Sequence, residues 1–238
     1  MPASGVADAN DEFAAVIGHL RADRPVVYPT STLPALGVRP TTAGLDVLFS
    51  VKRRQATQPV SLAVARLGDA SALVHLPERA EAFLAALPAG SVTIVFEARR
   101  TARSSDVLVT ETRSPDRPDG SPRIAGADPD PRLGRAGIAI RVAAHPTARR
   151  LLQATGPLTA TSANRSGRST PPDCREAAIE LGLAEDAFVP GVCPYSTPST
   201  LIRWPDPLVT NDDGESPEVL RLGIVSESEV REAWMTAN

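Results

Sequence analysis

Short hydroxyl, amide and basic side chains recur just beyond runs of apolar residues in this 238-residue chain. They are the groups best suited to hold an anion. Thr30 and Thr32 follow the run Pro25-Val26-Val27-Tyr28, Ser162, Asn164 and Ser166 follow residues 157–161, and Ser199 leads into Thr200-Leu201-Ile202. Such side chains hydrogen-bond phosphate, carboxylate or ribose without filling a pocket. Strand ends in open α/β sheets are where ligands usually bind. Positive charge is at hand in Lys52, Arg53 and Arg54, in Arg141 and in Arg221. Each group also has an ordinary structural explanation. Lys52 to Arg54 close a predicted helix, where cations favour the macrodipole by about 0.3–1 kcal/mol. Thr30 and Thr32 could satisfy loop backbone groups, and the segment TSANRSG could be an Asx-turn ending in a left-handed glycine. Arg141 and Arg221 could lie on the surface along their apolar stems.

Other chemistries find little support. There is no GxxxxGK(S/T) phosphate loop, and no GxGxxG follows the first strand. Neither a GxSxG elbow nor HExxH occurs. Cys174 and Cys193 stand 19 residues apart, and His19, His75 and His145 are scattered, so no metal site is expected. The two cysteines do not read as a disulfide framework, which suits a reducing cytosol. A net charge of −3 gives no whole-molecule attraction to nucleic acid or anionic membranes, so phosphate binding must come from a local basic cluster. The opening MPASGVADANDEF lacks a signal-peptide pattern, and no apolar run approaches the roughly 20 residues of a membrane span. A cytoplasmic protein with no membrane partner is expected.

The elements that must position these groups alternate along the chain. Apolar spacing predicts helices over 8–22, 42–54, 77–87, 145–155, 173–181 and 227–235. Strands are predicted over 25–28, 60–65, 91–96, 137–142, 157–161, 200–204 and 218–222. Residues 29–37, with two prolines and a glycine, read as a loop barred from a central strand. Interleaved strands and helices of this kind predict an α/β or α+β fold with a mixed sheet flanked by helices. With 42% apolar residues the chain reads as a single domain. Between about 98 and 135 the pattern collapses into Ser, Arg, Asp and five prolines, which reads as a loop insertion in that domain.

Taken in order, several segments resemble the YrdC-like family, whose best-known members are threonylcarbamoyl-AMP synthases. PTSTLPALG stands where the family shows PT(D/E)TxYGLG, and KRRQATQPV stands for KxRP with a PL further on. GSVTIVF matches a GPxT strand, IRVAAHP matches VRxPxHP, and SANxSG is present whole as residues 162–167. PSTLI matches PST(I/V), and LRLG matches LRxG. The resemblance covers about residues 8–225 apart from the insertion.

It implies a twisted mixed sheet with a wide concave basic cavity, and the joining of ATP, bicarbonate and L-threonine with magnesium on the triphosphate. The product, L-threonylcarbamoyl-AMP, would feed threonylcarbamoyladenosine formation in tRNA. Lys52 and Arg54 would act on the ATP phosphates or the carbamate, and Asn164 and Arg221 would help hold the nucleotide. Thr30, Thr32, Ser162 and Ser199 would hold the amino acid, with Arg141 pairing bidentately with its carboxylate. On that reading Lys52→Ala and Arg54→Ala abolish turnover and leave the fold intact. Candidate macromolecular partners are RNA and a downstream carbamoyl transferase.

The departures from the family pattern fall mostly in the first two motifs. Ser31 replaces the acidic residue, Pro34-Ala35 the Tyr-Gly pair, Gln55 the proline and Gln58 the usual basic residue. They leave two alternatives: a carbamoyl-adenylate synthase for another amino acid or amine, and a non-catalytic paralogue that binds RNA or nucleotide.

Overall fold

Two β-sheets share one seam, and the chain crosses between them at Ala160, just after Thr159. In the computed structural model, which describes residues 12–53, 60–99, 137–205 and 216–237, the smaller sheet has the order β1-β2-β7. Its strands are β1 (Val26–Tyr28), β2 (Ala35–Gly37) and β7 (Thr161–Ser162), all antiparallel. The larger sheet comprises β3 (Leu62–Val64), β4 (Val92–Glu97), β5 (Gly137–Val142), β6 (Leu158–Thr159), β8 (Thr200–Arg203) and β9 (Glu218–Arg221). Its order is β6-β3-β5-β4-β8-β9, with β3/β5 and β4/β8 parallel and the other neighbours antiparallel. The fold is therefore the mixed α/β arrangement that the alternating pattern predicts.

Residues 29–37 depart from expectation. Ala35 to Gly37 form the central strand of the smaller sheet, because Pro29 and Pro34 both lie outside its three residues. β6 and β7 arise from what reads as one strand. Ala160 separates them, donating its amide to the Ser61 carbonyl (2.8 Å) and accepting from the Ser61 hydroxyl (2.8 Å). At the seam, the Thr159 hydroxyl accepts from the Val38 amide (2.9 Å) and the Thr159 amide donates to the Val38 carbonyl (3.0 Å). The Tyr28 hydroxyl donates to the Thr159 carbonyl (2.9 Å). The ring of Tyr28 lies against Gly37, where an added Cβ would come within 2.7 Å of it. Tyr28, Val38 and Thr159 thereby pair their polar groups at this buried junction, as burial requires.

The helices are α1 (Ala14–Arg21), α2 (Thr42–Lys52), α3 (Ala80–Ala85), α4 (Pro146–Thr155), α5 (Cys174–Leu181) and α6 (Glu227–Thr236), with a 3₁₀ turn at Leu67–Ala70. Their ends are set by local chemistry. The Thr41 hydroxyl caps α2 by accepting from the Gly44 amide, and Asp173 caps α5 by accepting from Arg175 and Glu176. Ser226 and Glu229 form a capping box on α6. Arg53 ends α2 in the left-handed region (φ 50°).

Two apolar clusters result. The larger contains Leu45, Leu48, Leu62, Ile94, Ile140 and Ile202, and the smaller gathers Phe13, Val16, Leu20, Val26, Tyr28 and Leu151. Phe83, Trp204 and Trp234 pack edge-on at 5.1–6.1 Å, and Arg79 lies 3.8 Å above the Trp234 ring. These rings pin α6 to the body of the protein. No helix of the described residues is long and apolar enough to cross a membrane.

Candidate functional site

A cavity of about 350 Å³ opens along this arrangement, lined from both sheets. Short residues at the strand ends leave the space. Pro34 and Ala35 come from the first loop and β2, Thr93 and Ala139 from β4 and β5, Ser162 from β7, and Ser199 from the approach to β8. No Asp or Glu lines it among the described residues, while Arg141, Arg168 and Arg221 all do. Three arginines along a wall with no described carboxylate give the space a positive charge suited to an anion.

Arg141 lies at the end of β5 and is only 8% exposed, so it is not a surface residue on an apolar stem. Its Nη2 donates to the Thr32 hydroxyl (2.7 Å), the Gly90 carbonyl (2.9 Å) and the Ser31 hydroxyl (3.2 Å), and its Nε also donates to Gly90 (3.2 Å). Gly90 sits at φ 69°, and a Cβ there would fall 2.4 Å from the Ser31 hydroxyl. Burial pulls the Arg141 pKa below its ordinary value to about 10; the charge of Arg221 pulls the same way, against Tyr28 and Cys193. Nε and Nη2 being committed, Nη1 is the guanidinium nitrogen left without a partner among the described residues. The geometry therefore offers a carboxylate one nitrogen rather than the bidentate fork expected from sequence.

Lys52 is placed differently from expectation. Its side chain is buried (3% exposed) and its Nζ donates to the Ser162 carbonyl, the Asn164 carbonyl (2.8 Å) and Asn164 Oδ1 (3.2 Å). It lies under the loop after β7 and does not line the cavity. The backbone returns the link, since the Ser166 amide donates to the Lys52 carbonyl (3.0 Å). Asn164 is the hub of that loop. Its Oδ1 accepts from the Ser162 hydroxyl (2.6 Å) and its Nδ2 donates to the Arg168 carbonyl. Gly167 at φ 81° allows the chain to turn there.

On the far strand, Arg221 Nη2 donates to the Ser199 carbonyl (2.8 Å), and partial burial lowers its pKa. The Ser199 hydroxyl shares a hydrogen bond with Thr93 (2.8 Å). Thr200 ties the segment down by accepting from the amides of Gly223 (3.0 Å) and Val225 (3.1 Å) while donating to the Val225 carbonyl (2.6 Å). A Cβ on Gly223 would fall 2.3 Å from the Pro198 carbonyl, which explains the glycine of the LRLG segment.

Thus Thr32, Arg141, Ser162, Asn164, Ser199 and Arg221 converge on one cavity. Thr30 does not line it. The Thr30 hydroxyl instead shapes the loop, donating to the Leu33 carbonyl (2.7 Å) and accepting from the Thr32 amide (3.0 Å). Its own amide donates to Cys193 Sγ (3.2 Å). Cys174 and Cys193 are both buried free thiols. A hydrogen bond from Cys174, the Thr30 amide and the charge of Arg141 draw the Cys193 pKa down against burial. Arg54 and the insertion beyond Arg99 lie outside the described residues. Sequence reasoning passed over Thr93, Arg168, Ser169 and Thr170 as site residues, all of which line the cavity. The signal for Thr93 was present in the GPxT-like segment and that for Thr170 in Thr170-Pro171-Pro172, which stands for the family's TP-type segment, whereas Arg168 and Ser169 gave no motif.

The two-sheet α/β body surrounds a hollow that three arginines line and no carboxylate lines among the described residues, a charge balance that suits an anion without a Walker loop. The Sua5/YciO/YrdC family model, described as telomere recombination, matches residues 19–223, and the chain belongs to that family. It is 29% identical over 207 residues to a threonylcarbamoyl-AMP synthase of Alkalilimnicola ehrlichii, covering 85% of this chain and 90% of that one. Among solved structures it is similar to P. abyssi Sua5 complexed with L-threonine (TM-score 0.69, 22% identity). That likeness covers 97% of this chain but 58% of the Sua5 chain. E. coli YciO is similar over 93% of both chains, with a TM-score of 0.64 and 20% identity.

Proposed function

We propose that the protein is a nucleotidyltransferase that forms L-threonylcarbamoyl-AMP from ATP, bicarbonate and L-threonine, for use in tRNA modification. The observation that carries this reading is the pair Arg141 and Arg221, which line one cavity and have no acidic partner among the described residues. An amino acid carboxylate beside Arg141 Nη1 and a phosphate beside Arg221 would supply the missing counter-charge. A carbamate formed from bicarbonate and the amine would then lie next to the α-phosphate. Such a reaction needs placement and charge stabilisation more than a covalent nucleophile. Ser162, Asn164 and Ser199 would orient the two ligands, with Thr32 backing Arg141. Magnesium would be held mainly by the triphosphate and water, since no carboxylate lines the cavity among the described residues.

A second reading, another amino acid or amine as acceptor, has its own support. Pro34 and Ala35, which replace the family's Tyr-Gly pair, line the cavity itself. Both readings are tested by incubating the protein with ATP, magnesium, bicarbonate and a panel of amino acids, and weighing the adenylate formed. Threonylcarbamoyl-AMP is the expected product. A different carbamoyl-adenylate selects the second reading, and no adenylate with any acceptor removes both.

A further inference from the structure

The nucleotide's outer phosphates need cations that reach the cavity, and with Lys52 placed beneath the loop the described lining cations are Arg141, Arg168 and Arg221. Arg141 is committed through Nε and Nη2 to Gly90, Ser31 and Thr32. Arg221 belongs to β9 in the larger sheet and rests on the Ser199 carbonyl. Arg168 comes from the other side of the seam, on the loop that leaves β7 of the smaller sheet.

Its backbone is held while its side chain is not. The Arg168 carbonyl accepts from Asn164 Nδ2, and its amide donates to the Arg165 carbonyl (3.0 Å). Among the described residues the guanidinium has no hydrogen-bond or ion-pair partner, and the residue is exposed. Arg168, Ser169 and Thr170 run consecutively along the wall, which places one fork of donors beside two hydroxyls.

We propose that Arg168, with Ser169 and Thr170, forms a phosphate-binding edge that takes the outer phosphates of ATP and the pyrophosphate they become. The inference rests on the adenylate-forming reading above. In that reaction a carbamate oxygen bonds to the α-phosphorus while the bond from that phosphorus to the α–β bridging oxygen breaks. Pyrophosphate leaves with the electron pair of the broken bond. A cation at the outer phosphates stabilises this growing charge. Lys52 is then a positioning residue, since its bond to Asn164 Oδ1 fixes the amide whose Nδ2 holds the Arg168 carbonyl.

The test is equilibrium binding of inorganic pyrophosphate and of ATP to the full chain and to Arg168→Ala, Arg168→Lys and Arg165→Ala, alongside the adenylate assay. Arg168→Ala is expected to weaken both ligands about tenfold, the loss of one charge-assisted contact. Arg168→Lys should recover part of that loss, and Arg165→Ala, which does not line the cavity, should change neither constant. Unaltered pyrophosphate and ATP affinity in Arg168→Ala overturns the edge, and adenylate formation by the same wild-type sample would leave the broader reading standing. Arg168-dependent pyrophosphate binding with no adenylate from any acceptor has the opposite meaning, keeping the edge and removing the reaction. An equal loss in Arg165→Ala would show diffuse charge rather than a built edge, and would also overturn the proposal.

Discussion

Arg141 holds a charge where burial disfavours it, and its partners are hydroxyls and one carbonyl instead of a carboxylate. A buried, unpaired cation lowers stability in the empty protein and favours binding of an anion. Arg141→Met should therefore leave the melting temperature unchanged or raised, while affinity for the amino acid falls by about tenfold or more. Thermal unfolding and ligand titration of one preparation check both halves; a lower melting temperature would mean that the guanidinium's hydrogen bonds outweigh its desolvation. Lys52 behaves in the opposite sense. Its Nζ donates to acceptors at the end of β7 and in the loop that follows, so Lys52→Met strands Ser162 and Asn164 groups that now have a donor. The expected loss is about 1–3 kcal/mol of stability by urea unfolding, together with activity. That replaces the sequence-based expectation of an intact fold in Lys52→Ala. The type and importance of both residues could be read from the motifs. What each one touches depends on chain segments about a hundred residues away, such as Asn164 for Lys52, and no local spacing encodes that.

Among the elements, β5 coincides with its sequence-predicted span because GIAIRV is rich in branched residues, largely buried and without proline. β2 was lost to its prolines, and the break between β6 and β7 was invisible because Ala160 joins two strands of different sheets. Strand type is a local property, whereas sheet membership is not. The start of helix α4 shows how one local residue carries a pH response. His145 precedes Pro146 at the start of α4, and its Nδ1 is buried without a hydrogen-bond partner among the described residues. Burial lowers its pKa below the ordinary 6.5. The unfolded chain then takes up a proton before the folded one does, so this group's contribution is intact above pH 6.5 and is lost as pH falls from there through the lowered folded value. His145→Gln should flatten the decline of the urea midpoint over that interval relative to wild type. Parallel curves for the two proteins would show that the histidine titrates alike in both states.

For the molecule as a whole, the question is what the 100–136 stretch contributes to a body that already closes around its own core. Glu97 and Gly137 are cross-strand partners at the open end of β4 and β5. The chain remains tied as far as Arg99, whose amide donates to the Leu73 carbonyl (2.9 Å), while Ala98 bridges Val74. Paired strands lie about 5 Å apart and each further residue adds about 3.3 Å, so a link of roughly six residues from Arg99 back to Gly137 spans the gap. Replacing residues 100–136 with such a Gly/Asn-rich link shortens the closed loop several-fold. Loop-closure entropy then predicts an unfolding free energy higher by about 1–2 kcal/mol, since each halving is worth about 0.6 kcal/mol. The described members of both apolar clusters already pack against one another, and the described cavity wall draws on both sheets. Cooperative urea unfolding at an equal or higher midpoint, with pyrophosphate affinity retained, is the expected outcome. A non-cooperative transition would show that the sheets depend on the stretch for their stability, and a stable protein with weakened pyrophosphate binding would place part of the anion site within it.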